Sequence, residues 1–233
     1  LNVGDGTHTV HHLSKDGVLT ISTMDMRQWY DFIGISQSGG ALTVYLPEST
    51  YKSLYIKTDT GDVTIPQDFS FDSATLQSDT GDIDFSATVA GPLSVGVSTG
   101  DVDIQHTNAN QLEVHSTTGD MELENVQVSG DVSLQSTTGE ISAENITCVN
   151  LHSQSRTGDT KLQNVLMGGT LEIATTTGAV RIENSDAGFV SITTDTGDVT
   201  GSLLTDKIFI TESDTGNIKV PQSRTGGKCE ITT

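Results

Sequence analysis

Between Thr58 and Val220 the chain writes one octet nine times: TDTGDVTI, SDTGDIDF, VSTGDVDI, STTGDMEL, STTGEISA, SRTGDTKL, TTTGAVRI, TDTGDVTG and SDTGNIKV. Their glycines are Gly61, Gly81, Gly100, Gly119, Gly139, Gly158, Gly178, Gly197 and Gly216, at spacings of 20, 19, 19, 20, 19, 20, 19 and 19. A unit that short cannot enclose a core of its own, so repeats at this period bury their apolar faces against the next copy. The spacing predicts an all-β, single-stranded β-helix (a β-solenoid) of about eleven coils of 19–20 residues with Thr-Gly-Asp corners. Two weaker coils complete the count, SQSGGALTV with Gly40 and SKDGVLTI with Gly17. The chain reads as one domain: an irregular N-terminal coil and cap over 1–35, regular repeats over 36–220, and an incomplete coil over 221–233. Met24, Met26, Trp29, Tyr30 and Phe32 are the apolar cluster expected to form the cap.

Parity assigns the side chains, because a strand's successive residues point to opposite faces. Counting back from each glycine, positions seven and five are nearly all apolar, as in Leu93 and Val95 or Leu112 and Val114. Positions three and one share that parity and hold Ser or Thr, Val97 excepted, so both hydroxyl columns are expected to face the core. After the corner the apolar positions are two and four on in most coils, as in Val63 and Ile65 or Met121 and Leu123. Each coil is thus predicted to hold a strand of about seven residues, a corner, a second strand of about five, and a short connection that often starts with Asn (Asn125, Asn145, Asn164, Asn184). Coils stacked about 4.8 Å apart place Cys148 and Cys229 some four coils from each other, too far for a disulfide. SRTGG at 223–227 falls ten residues after Gly216 and reads as a turn out of register, while Ile231 and Thr233 sit at strand positions of a next coil. The sequence stops inside that coil and begins with Leu1, so the native protein is expected to extend further and to carry its targeting or anchoring segment elsewhere.

Composition narrows the function. With 31 acidic against 11 basic residues, the net charge is −20, and nucleic acid is excluded as a partner because phosphate binding needs clustered Lys and Arg. No apolar run reaches membrane-spanning length. Two cysteines supply neither a disulfide framework nor a Cys-x-x-Cys metal motif.

The residue after each glycine forms an outward acidic column: Asp62, Asp82, Asp101, Asp120, Glu140, Asp159 and Asp198, interrupted by Ala179 and continued by Asn217. Hard oxygen ligands at coil spacing could take a cation such as Ca²⁺ weakly. The reading preferred here is that each carboxylate accepts backbone N–H bonds and stabilises its own turn. A second outward column, Asp84, Asp103 and Glu122, offers paired carboxylates of the kind glycosidases use. Repeated surface acids beside short loops build no cleft, so no catalytic residue, cofactor or dedicated metal site is expected. His8 and His12 share a strand face but lack a third ligand. A Thr-x-Thr ladder of the ice-binding type is disfavoured because parity turns it inward. Arg156, Lys161, Arg181 and Lys219 are expected to relieve acidic crowding between coils.

The octet at this spacing, over roughly Ser36 to Val220, resembles a family of bacterial cell-envelope β-solenoids of unknown function that carries the label adhesin. The resemblance implies a cell-surface or extracellular location and a non-catalytic structural or binding role, with a surface glycan, wall polymer or protein as partner. It supplies no catalytic residues to carry over. A head-to-tail assembling scaffold and a polysaccharide-active β-helix enzyme are the alternatives.

Overall fold

The computed structural model of the chain describes residues 2–3, 8–25, 42–47, 49–212, 215–219 and 226–232. These fall into two compact units, Leu1–Glu48 and Ser49–Thr233. In the first, His8–Lys15 and Val18–Asp25 form an antiparallel hairpin closed at Asp16–Gly17. Both turn residues have positive φ, 53° and 77°, as a two-residue type I′ turn requires. The coil expected at Gly17 is therefore corrected. An Asp-Gly between two strand-forming runs favours a local hairpin, and SKDGVLTI folds back on its own neighbour instead of stacking on another coil. Asn2–Val3 pairs antiparallel with Leu42–Thr43. Gly40 and the cap residues Met26, Trp29, Tyr30 and Phe32 lie outside the described residues, as does the side chain of Met24.

The second unit is the solenoid, of about nine turns among the described residues, where the spacing predicted about eleven coils in all. A ten-stranded sheet and a nine-stranded sheet are joined at the Thr-Gly corners. Among the described residues the pairings in the unit are parallel and, up to Phe189–Thr196 in the ten-stranded sheet, join equivalent residues of successive coils. Leu76, Val95, Val114 and Leu134 make one inward column, and Phe85, Ile104 and Leu123 another. The connection predicted as irregular carries a third strand of two residues per coil, such as Asn108–Ala109, Gln127–Val128, Thr147–Cys148 and Leu166–Met167. These form a four-stranded sheet, and Thr50–Tyr51, Ser70–Phe71 and Thr88–Val89 form a three-stranded one. The coils that carry these seven short strands therefore have three sides.

Sheet dictates burial here. Long strands read exposed–buried in alternation up to the corner, as in Gln111–Thr118. Leu112 and Val114 are fully buried, as are Leu123 and Ile104. Alternation then fails. Ser116, three before the glycine, is buried, but Thr117 and Thr118 are both exposed. The pairing registers explain this: Val97 meets Ser116 and Thr99 meets Thr118, while the residue between is skipped. The chain has begun to bend, so the Thr next to each glycine leaves the inward column. Only one of the two expected hydroxyl columns faces the core.

Tyr51, Phe69 and Phe71 cluster in the first coils of the solenoid, with ring centroids 6.1 Å apart in both neighbouring pairs. Near the other end the strand Gly227–Thr232 lies between Phe189–Thr196 and Lys207–Glu212. Ile231 faces Ile192 and is buried, as its parity predicts, yet it stands one place earlier in the stack than chain order implies. Cys148 and Cys229 are free, buried thiols on different sheets. Burial pushes both up to about 12.

Candidate functional site

The acidic column is built by the corners. At Gly119 φ is 135°, and a Cβ there would lie 2.0 Å from the Gly100 carbonyl oxygen, so only glycine lets the corners stack. With the corners in register, each following acid sits directly over its counterpart. The hydrogen bonds then run between coils. Asp82 N–H donates to Asp62 Oδ1 at 3.0 Å, Asp101 N–H to Asp82 Oδ1 at 2.8 Å, and Asp120 N–H to Asp101 Oδ1 at 2.8 Å. Glu140 N–H continues to Asp120 Oδ1 at 2.7 Å, Ala179 N–H to Asp159 Oδ1 at 2.8 Å, and Asn217 N–H to Asp198 Oδ1 at 2.8 Å. Backbone amides are indeed the partners, but each carboxylate secures the next coil's corner and not its own turn. Glu140, one methylene longer, instead meets Lys161 Nζ at 2.8 Å, and this ion pair with Glu140 raises the Lys161 pKa.

The second column also stacks, Asp84 beside Asp103 and Asp103 beside Glu122. Asp103 has an elevated pKa: burial is the main cause, and Asp84 and Glu124 add repulsion, against a lowering bond from Gln105 Nε2 at 2.9 Å. A raised carboxyl is what a general acid needs, yet Asp103 stands on the outer face of the nine-stranded sheet, in a ladder of like groups. Asp84 accepts a bond from Thr64 Oγ1 at 3.5 Å. His12 is exposed on the hairpin, and the side chain of His8 lies outside the described residues. Among the described residues, no three His, Cys, Asp or Glu side chains converge as metal ligands would. Arg181 bonds Glu183 in its own strand, Nε to Oε1 at 2.7 Å, so cations relieve crowding within a coil as well as between coils.

Two features were missed by sequence reasoning. Asn125, Asn145, Asn164 and Asn184 all have φ between 49° and 56°, forming the second corner of the coil. Their amides bond upward, Asn145 Nδ2 to Asn125 Oδ1 at 3.1 Å and Asn164 Nδ2 to Asn145 Oδ1 at 3.0 Å. The fixed interval of six residues from the glycine carried that signal, since Asn tolerates left-handed backbone. The other feature had no signal. On the third side, where the short strands end, an open cleft of about 630 Å³ is lined by Cys148, Met167, Gly168, Asp186, Ala187 and Lys207 among others. Lys207 is buried and pairs with Asp186 Oδ1 at 2.8 Å. Burial by itself would raise the Asp186 pKa, but bonds from Lys207, Thr205 and the Ala187 N–H outweigh it and lower the value.

The corner Thr column is outward, which removes parity as the ground against ice binding. The arrangement itself now argues against it: a single Thr row along a bend, flanked by carboxylates, is not a flat array of paired hydroxyls. Among the described residues, no helix is long and apolar enough to cross a membrane.

No curated protein and no solved structure matches this chain. The sequence profile of the Toastrack DUF4097 family matches residues 3–148 and again residues 129–233, as a repeating chain allows when one profile can be laid on it in two overlapping registers. With these matches running across nearly the whole sequence, and a β-solenoid beneath them, the chain belongs to the Toastrack DUF4097 family, whose function is unknown.

Proposed function

We propose that this solenoid is a non-catalytic structural and binding module of the bacterial cell envelope or surface, acting as an adhesin-type contact face. The carrying observation is the row of carboxylates from Asp62 to Asp120, each held by an amide of the next coil through Oδ1. Among the described residues no bond engages the second oxygen of each, which leaves it for an outside contact, at about 4.8 Å intervals. A rigid comb of negative charge suits repeated cationic groups: amines of a wall polymer, a basic protein segment, or Ca²⁺ bridging to an acidic surface glycan. Asp62, Asp82, Asp101, Asp120, Glu140, Asp159 and Asp198 are the contact column in this reading. The test is sedimentation with purified wall material across a salt series, beside protease accessibility on intact cells. Salt-sensitive binding lost on replacing Asp82, Asp101 and Asp120 by Asn supports the reading; protein confined to the cytosol, or binding indifferent to those changes, sinks it.

The scaffold alternative draws on the outermost strands of the ten-stranded sheet, Leu54–Thr58 and Lys207–Glu212. Such edges are where stacks can join, and light scattering across protein concentration distinguishes it.

A further inference from the structure

The coil that turns at Gly158 differs inside from its neighbours. Ser153 stands in the column that holds Leu134 one coil before and Ile173 one coil after. Thr160 stands between Ile141 and Val180. Ser155 occupies the inward hydroxyl column, between Ser136 and Thr175. Relative exposures of Ser153, Ser155 and Thr160 are 0%, 4% and 0%. None of their hydroxyls has a hydrogen-bond partner among the described residues, and neither do those of Ser116, Ser136 and Thr175 in the same interior.

A buried hydroxyl without a partner forfeits its hydration and receives nothing in return. Stacked counterparts lie about 4.8 Å apart, beyond the roughly 2.7–2.8 Å of a direct O–H···O bond. One water placed at bonding distance from both would span that gap. We propose that the solenoid binds a file of ordered water inside its Thr-Gly corner, centred on the coil of Gly158.

Side-chain size and polar partners both favour that coil. Ser153 is shorter than the Leu and Ile on either side. Ala143, just beneath Leu162 in another inward column, is smaller than both Leu162 and Leu123. A buried water takes two to four polar partners at about 3 on average, and Ser153, Ser155 and Thr160 offer three from one coil. The ends of the file are equally specific. Val97 occupies the hydroxyl column next to Ser116 and closes one end. Thr194 closes the other, because its Oγ1 already donates to the Gly178 carbonyl at 3.3 Å.

A crystal structure at a resolution that places solvent is the first test. The expected result is ordered water bonded to Ser155 Oγ and to Ser153 or Thr160, continuing to Ser136 and Thr175. In solution, rotating-frame cross-relaxation between water and these residues should appear in the wild type. It should be lost from that coil in the double variant Ser153→Leu, Thr160→Val, which copies the neighbouring coils. A dry interior, with each hydroxyl swung onto a backbone carbonyl as Thr194 is, overturns the proposal. Should the variant not fold, the wild-type crystal and relaxation measurements decide alone.

Discussion

A side chain at a corner glycine would fail twice, once for its backbone angle and once for its neighbour. At Gly139 φ is 142° and an added Cβ would approach the Gly119 carbonyl oxygen to 2.0 Å. Gly139→Ala should therefore cost at least the ~1–3 kcal/mol of a disallowed conformation, read as a lowered denaturant midpoint. Gly96 has open space within 4 Å, so Gly96→Ala should be neutral or gain up to about 1 kcal/mol. The acidic column permits a gain as well. Ala179 interrupts it, and Ala179→Asp would offer a carboxylate to the Asp198 amide as Asp159 does to Ala179. A stabilisation of about 0.5–1.5 kcal/mol is expected, and an unchanged midpoint would count against the coil-to-coil role of these acids. Asp103 behaves oppositely. Its folded pKa lies above the ordinary 3.8, so ionisation opposes folding, and the penalty fades as pH falls through the folded value. Asp103→Asn should be more stable than the wild type at neutral pH, with the two converging in acid. Melting curves across pH would show it.

At the level of elements, the coil depends on its second corner as much as its first. Asn145 combines a φ of 56° with amide bonds to Asn125 and from Asn164. Asn145→Gly keeps the backbone and loses the ladder; Asn145→Ala loses both. The alanine variant should fall below the glycine variant by about 1–2 kcal/mol in urea unfolding. That corner also explains the two-residue third strands. Once Asn turns the chain, only a few residues remain before the next long strand, and stacking gives those few a parallel partner. Two residues are too short to show a period, which is why the sequence presents them as irregular connection. The coil expected at Gly17 failed for a different reason: the octet pattern and a type I′ hairpin share Gly after a polar residue, and local pairing won.

In the whole solenoid, energy is shared between nearest neighbours. Removal of residues 120–139 joins Gly119 to Glu140 and leaves every corner in register, because that span is one repeat. The shortened protein should fold cooperatively, with a urea m-value lower by roughly one-ninth for one of nine stacked strands. Loss of native circular dichroism instead would show that the coils are not interchangeable.

The sequence alone determined the repeat, the corner glycines, the inward apolar columns and the outward acids, because each follows from a fixed period and strand parity. Tertiary structure decided what depends on the path between strands. It set where parity breaks at Thr118, where the short strands make a third side, and where Gly227–Thr232 is inserted. The Lys207–Asp186 pair and the cleft beside it belong to that class too. Their residues come from different coils and carry no common spacing, so only the stack brings them together.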